Sequence, residues 1–316
     1  MHANGRCVAR RLILAAMDSV AAEWEVLDDR FSLTGERQME RLFGDCRWVE
    51  GPVYVAEGRF LLWSDVPGDR MFRWDEASGL VSIFREPSGN ANGNTLDRSG
   101  RLVTCEHGGR RVTRTEHDGT VTVVADRWEG KRLNSPNDVV VKSDGSIWFT
   151  DPSYGIESDY EGHRAESEIG GCHVYRVEPR NGEVRRVAAD FVRPNGLAFS
   201  PDERRLYISD TQLNHLRVFS VGPDHRLEGG EVIANCDAGA YDGFRVDEAG
   251  RIWAGAADGV HCLAPDGTPL AKLRVPEVVA NVEFGGRERD RLFICASTTI
   301  YAIRVGVAGA STTRRD

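Results

Sequence analysis

Residues 135–155 read SPNDVVVKSDGSIWFTDPSYG, and this stretch decides the fold. A polar residue, Asn137, heads a short apolar run over Asp138–Lys142. A Ser-Asp-Gly turn follows at 143–145, and a second apolar run, Ser146–Thr150, returns from it. Asp-Gly and Asn-Gly pairs between such runs are strong hairpin signals. The same phrase recurs along the chain. Glu50, Asn92 and Asp242 also head short runs, and each of the four is followed eight positions later by a glycine: Gly58, Gly100, Gly145 and Gly250. The second runs read RFLLWSD, RLVTCEH, SIWFTDP and RIWAGAA. A fifth copy starts at Asn195 (NGLAFSPDERRLYISD) and a degenerate sixth at Asn281 (NVEFGGRERDRLFICAS). A repeat of about forty residues marks a closed array of β units.

Each unit reads as four strands. In the third, Cys172–Val177 and Glu183–Ala188 follow the first hairpin, joined by the Asn181-Gly182 turn. The last unit lacks a fourth strand after Thr299–Val305, and a spare strand lies at Gln38–Phe43. An open sheet edge is an aggregation hazard, so the spare strand is expected to complete the last unit and close the ring. The resulting plan is an N-terminal helical extension over 1–30, with its helix from about Arg10 to Leu27. An all-β ring follows over 31–305, and a disordered tail over 306–316.

The chain has 316 residues, 41% hydrophobic and 28% charged, as expected of a soluble globular protein. A net charge of −9 argues against a nucleic-acid partner. No run approaches the roughly 18 apolar residues of a membrane helix. Arg10-Arg11 precede only six apolar residues before Asp18, short for a secretory segment. The seven cysteines are scattered and form no CxxC pair, which points to reduced thiols and a cytoplasmic protein.

If the ring closes, Glu50, Asn92, Asn137, Asn195, Asp242 and Asn281 converge on its axis. Two acids and neutral carbonyl oxygens suit one divalent cation, Ca²⁺ best, with Mg²⁺ or Mn²⁺ as alternatives. The competing reading is that these residues only cap strand starts. The loops between second and third strands share this face and bring Asp65, Glu106-His107, Asp151-Tyr154 and Asp210. One of them, Asp151–Gly171, is long, and is either a lid or specificity loop or a surface insertion. His107, beside Glu106, is placed to bind substrate or move a proton. Ser64-Asp65, Thr150-Asp151 and Ser209-Asp210 recur too regularly for one active site and are read as bonding turn backbones. No HExxH, GxSxG or Walker-type motif occurs.

VEGPVYV, SPNDVVVKSDGSIWFTDPSYG, RPNGLAFSPDERRLYISDT and YDGFRVDEAGRIW resemble the gluconolactonase branch of the senescence-marker-protein/gluconolactonase/luciferin-regenerating-enzyme family, over about Arg47–Val305. The resemblance implies a six-bladed β-propeller of four-stranded blades with one central divalent metal, Ca²⁺ or Zn²⁺. It implies Glu50, Asn137, Asn195 and Asp242 as ligands, with Asn92 and Asn281 as inner neighbours able to bind substrate or water. One departure is Ser135, where the regucalcin-like branch has a substrate-contacting arginine; His107 and the Tyr154 loop are expected to substitute for it.

The resemblance further implies a lactonase opening an aldonolactone such as gluconolactone. Metal-polarised attack by water needs no protein nucleophile, and Asp242 is the expected general base. The alternatives are a promiscuous phosphotriesterase or aryl esterase on the same metal, and a calcium-binding propeller without catalysis. A monomer or homodimer acting on a small lactone is expected.

Overall fold

A computed structural model describes residues 13–14, 18–32 and 35–310. It is a six-bladed β-propeller. Blade one comprises Val49–Val55, Phe60–Asp65, Arg70–Asp75 and Leu80–Arg85. Blade two starts at Ala91–Leu96, blade three at Val139–Val141, blade four at Pro194–Phe199, blade five at Phe244–Val246 and blade six at Val279–Gly285. Within each blade successive strands are antiparallel neighbours. In blade three the observed strands are Val139–Val141, Ile147–Asp151, Cys172–Val177 and Val184–Phe191.

The ring closes as the sequence predicts. Gln38–Phe43 lies antiparallel to Thr299–Arg304, with Ile300 opposite Phe43 and Ala302 opposite Glu40. The core sits between blades. Val140, Trp148 and Val174 of blade three pack on Leu197, Leu206 and Ile208 of blade four. Trp253 and Leu273 of blade five pack on Val282 and Leu292 of blade six, and Phe293 and Ile300 of blade six on Trp63 and Trp74 of blade one. Apolar contacts therefore run around the whole ring, and burial of this kind is worth about 25 cal/mol per Å².

The N-terminal segment is not the expected helix. Asp18–Ala21 pairs with Gln38–Phe43 and Glu23–Val26 pairs with Pro269–Arg274, adding a fifth strand to blades six and five. Ile13–Leu14 pairs with Leu80–Val81 on blade one. Residues 1–12 and 15–17 of the expected extension lie outside the described residues. Ala and Glu favour a helix, but Val20, Ala22 and Trp24 alternate with more exposed residues and pack on the core of blades five and six. The Trp24 ring meets Phe31 at 5.5 Å and Trp253 edge-on at 6.2 Å. At the other end, Ala310 N donates to Val246 O and Glu248 N to Ala308 O, so the chain through Ala310 docks on blade five rather than forming a loose tail. Residues 311–316 lie outside the described residues.

All six described cysteines are free thiols, five of them buried. Among the described residues no helix is long and apolar enough to cross a membrane.

Candidate active site

The heads of the six first strands meet at one end of the central channel. Glu50, Asn92, Asn137, Asn195 and Asn281 are buried there, and Asp242 is half-buried. Two features let the backbones approach so closely. Glycine follows the axial residue in four blades, and a Cβ on Gly51 would collide with the Asn92 carbonyl, one on Gly243 with the Asn281 side chain. The hydroxyls at the ends of second strands then tie one blade to the next. Ser64 Oγ donates to Asn92 O at 2.8 Å, Thr150 Oγ1 to Asn195 O at 2.7 Å and Ser209 Oγ to Asp242 O at 2.9 Å.

The aspartates that follow these hydroxyls bond backbone, as expected. Asp65 accepts from Arg47 N, Asp151 from Asn134 N and Ser135 N, and Asp210 from Val192 N and Arg193 N. The Ser/Thr-Asp repeat is therefore the frame that holds the axial residues, with the aspartates on turn backbones as expected and the hydroxyls reaching across to the next blade instead.

Glu50 Oε2 accepts from Gly51 N at 2.9 Å and from the Asn281 amide at 3.2 Å. Asn281 Oδ1 accepts from Val282 N, so both ends of that amide are engaged and its place is to orient Glu50. Asn195 Nδ2 donates to Thr211 Oγ1 at 3.0 Å. Tyr154, in a single helical turn over Tyr154–Glu157, brings its hydroxyl to Thr211 and Asn195, and burial pushes its pKa up to about 12. The phenol therefore stays protonated and able to donate. Asn92 Nδ2 lies 3.1 Å from Nε2 of the fully buried His107.

Burial raises the carboxyl pKa of both Glu50 and Asp242, and the Glu50 charge pushes Asp242 higher still. Asp138 and Glu161 add to the repulsion on both. Asp242 Oδ1 and Asn92 Oδ1 are closed to solvent and have no hydrogen-bond partner. Buried acceptors without donors and buried acids without a counter-charge are costly. A cation on the axis answers both, and an all-oxygen donor set fits a hard divalent ion.

Below the axial residues, Asp138 is buried beside Asn137, and burial raises its pKa against the pull of Arg245. The Arg245 guanidinium lies 3.4 Å from Asp138 and 2.9 Å from Glu283. It also lines a cavity of about 430 Å³ at the far end of the channel, walled by Val55, Leu96, Val141, Phe199 and Phe284 from the last turns of the first strands. Off the axis, Cys236, Asp237 and His261 form another group with metal-binding chemistry. There the ammonium of Lys272 sits 2.6 and 2.7 Å from the two oxygens of Asp237, so the protein supplies the cation itself.

The long loop after blade three's second strand is folded onto this face. Ser135 Oγ donates to Pro152 O at 2.7 Å and accepts from Gly155 N at 2.9 Å. Asn134 Nδ2 donates to Gly171 O at 2.8 Å and closes the loop's base. The residue that departs from the regucalcin-like pattern thus anchors the loop.

A sequence profile described as the SMP-30/Gluconolactonase/LRE-like region matches residues 48–298. The chain belongs to this family. It is 33% identical over 297 residues to the gluconolactonase of Zymomonas mobilis, covering 86% of this chain and 82% of that one. It is 31% identical over 265 residues to a pentonolactonase of Haloferax volcanii, covering 79% and 81%. A solved structure of a gluconolactonase from Xanthomonas campestris superposes with a TM-score of 0.86 at 35% identity, covering 92% of this chain and 98% of that one.

Proposed function

We propose that this member of the SMP-30/gluconolactonase/LRE-like family is a metal-dependent hydrolase that opens an aldonolactone such as glucono-1,5-lactone. The observation that carries the reading is Asp242 Oδ1, closed to solvent, without a hydrogen-bond partner, and raised in pKa with Glu50 as a neighbouring charge. Glu50, Asn137, Asn195 and Asp242 would hold one divalent ion, most simply Ca²⁺, with Zn²⁺, Mg²⁺ or Mn²⁺ as other candidates. When bound, such an ion polarises the lactone carbonyl and stabilises the oxyanion that develops.

The chain's own residues do the rest. Asp242 holds a water against the carbonyl carbon and takes its proton as the new C–O bond forms. A carboxyl shifted upward toward neutrality suits this task. Glu50 is fixed by Gly51 N and Asn281 and serves as an anchor. The ring C–O bond then breaks, and its oxygen takes the proton held by Asp242 and leaves as a hydroxyl, which restores the Asp242 carboxylate. Tyr154, protonated at neutral pH, donates to a substrate oxygen, and Asn92 and His107 line the approach. The names of the Zymomonas, Haloferax and Xanthomonas relatives support a sugar lactone as substrate.

The test is proton release from glucono-1,5-lactone above the spontaneous rate. Release should fall to the spontaneous rate with chelator and recover on adding Ca²⁺ or another of the four ions. No acceleration with any of them would refute the proposal.

A further inference from the structure

The long loop brings a third carboxylate to the axis. Glu161 Oε2 lies 3.4 Å from Nδ1 of His107, a nitrogen that is closed to solvent and makes no hydrogen bond. Glu161 is near enough for its charge to push up the carboxyls of both Glu50 and Asp242, after burial as the larger cause.

Its placement is built into the loop. Gly155 packs so closely that an added Cβ would lie 2.5 Å from the His107 Cβ and 2.9 Å from the Ser135 Cβ. Gly162, the residue after Glu161, presses on the Gly155 carbonyl in the same way. His163 N donates to Gly155 O at 2.9 Å and Ala165 N to Ile156 O at 3.0 Å. The crossing of these two glycines sets Glu161 over His107, with its side chain 27% exposed. The neighbouring cation, Arg193, stacks over Tyr154 and is paired with Glu157 at 2.9 Å.

The charges decide what such a site admits. Glu50, Asp242 and Glu161 together carry three negative charges when ionised, one more than a divalent ion balances. A neutral sugar lactone enters without repulsion and offers hydroxyls to a carboxylate. A lactone bearing phosphate or sulfonate meets a like charge, and so does the hydroxy-acid product once its carboxylate forms. Discrimination is commonly achieved by such a repulsive element as much as by attraction.

We propose that Glu161 is the charge filter of this site. It accepts hydrogen bonds from the hydroxyls of neutral lactones, excludes anionic ones and hastens departure of the anionic product. The inference rests on the lactonase reading above. Its test compares kcat/KM for glucono-1,5-lactone and its 6-phosphate in the wild type, Glu161→Gln and Glu161→Lys, with calorimetric titration of gluconate into each.

The wild type should favour the neutral lactone. Glu161→Gln should cut that preference about tenfold and raise KM for the neutral lactone, and Glu161→Lys should cut the preference further, the size expected for one and two charge units in a partly buried site. Gluconate should bind more tightly in the same order. A preference and a gluconate affinity unchanged within about twofold in both variants would overturn the filter. If the wild type opens neither lactone, the lactonase reading fails. The gluconate titration then decides the filter alone: tightening supports it and no change overturns it.

Discussion

Asp138 and Glu283, toward the far end of the central channel, share the guanidinium of Arg245. Glu50 and Asp242, at the near end, make no ion pair among the described residues. Arg245 lies only three positions beyond Asp242, yet its charge is committed to the far pair. Off the axis, Arg251 does the same for the buried Asp247 and Arg70 for the buried Asp65. This fold thus readily supplies its own cations to buried acids. One pair left without a partner, and one carboxylate oxygen left without a donor, are what the proposed ion site requires.

The largest expected effect tests the unpaired end. Asp242→Asn keeps a similar shape and an oxygen donor but removes the proposed base. It should lower kcat by about 10²–10⁴-fold even with saturating divalent ion, as general-base removal does. Glu50→Gln removes the same charge but an anchor rather than a base, so its activity should climb further as the ion is added. The measurement is kcat against ion concentration for each variant. Matching curves would leave the two acids with one shared electrostatic role, and a near-normal kcat for Asp242→Asn would move the base elsewhere.

The paired end should answer in stability instead. Arg245→Met leaves Asp138 and Glu283 without their partner and should cost about 3–5 kcal/mol, as breaking a buried pair does. Chemical denaturation measures it. The triple variant Arg245→Met, Asp138→Asn, Glu283→Gln removes the charge imbalance and should recover much of the loss. A single variant as stable as the wild type would show that the far end is solvated and that the contrast between the two ends is false.

The legible part of this contrast was the repeat. A polar residue at the head of each first strand, followed in four of the six copies by a glycine eight positions later, carries enough period to find six blades and the six axial residues. Asp138 is equally visible in the repeat, since blade three carries an acid at the position where four other blades carry the axial glycine. Glu161 had no such signal. Glu157, Asp159, Glu161, Glu166 and Glu168 stand in one loop without period, and only the packing of Gly155 against Gly162 selects one of them for the axis. The N-terminal segment is harder to read because its alternation, Val20, Ala22 and Trp24, is short and its two strands have separate partners: Val20 lies opposite Met39, whereas Trp24 lies opposite Leu273 on blade five, more than two hundred residues away. Intrinsic propensity is a weak prior when an unpaired sheet edge is waiting.

The smallest effect comes from the dependence of cation binding on pH. Burial, with repulsion from neighbouring carboxylates, raises the pKa of Glu50 and Asp242 above their unfolded values. In chelator, the folded protein therefore holds protons on these groups that the unfolded chain has released. Stability contributed by the protonated pair is fully present below the unfolded pKa values, about 4, and is lost as pH rises through the folded ones. Burial also raises Asp151, to about 7, and that group adds to the same trend without contacting the axis. A divalent ion acts in the opposite sense, since it binds the deprotonated ligands. At about 100 times its Kd it should stabilise by about 2.7 kcal/mol, with most of that gain at pH 8 and little at pH 5. The comparison is the difference in Tm with and without Ca²⁺ at the two pH values, which cancels the shared contribution of Asp151. A gain of equal size at pH 5 and pH 8 would mean that the ion binds away from these carboxylates. Asp242→Asn should shrink the pH 8 gain, whereas Asp237→Asn, at the cluster Lys272 already serves, should leave it unchanged.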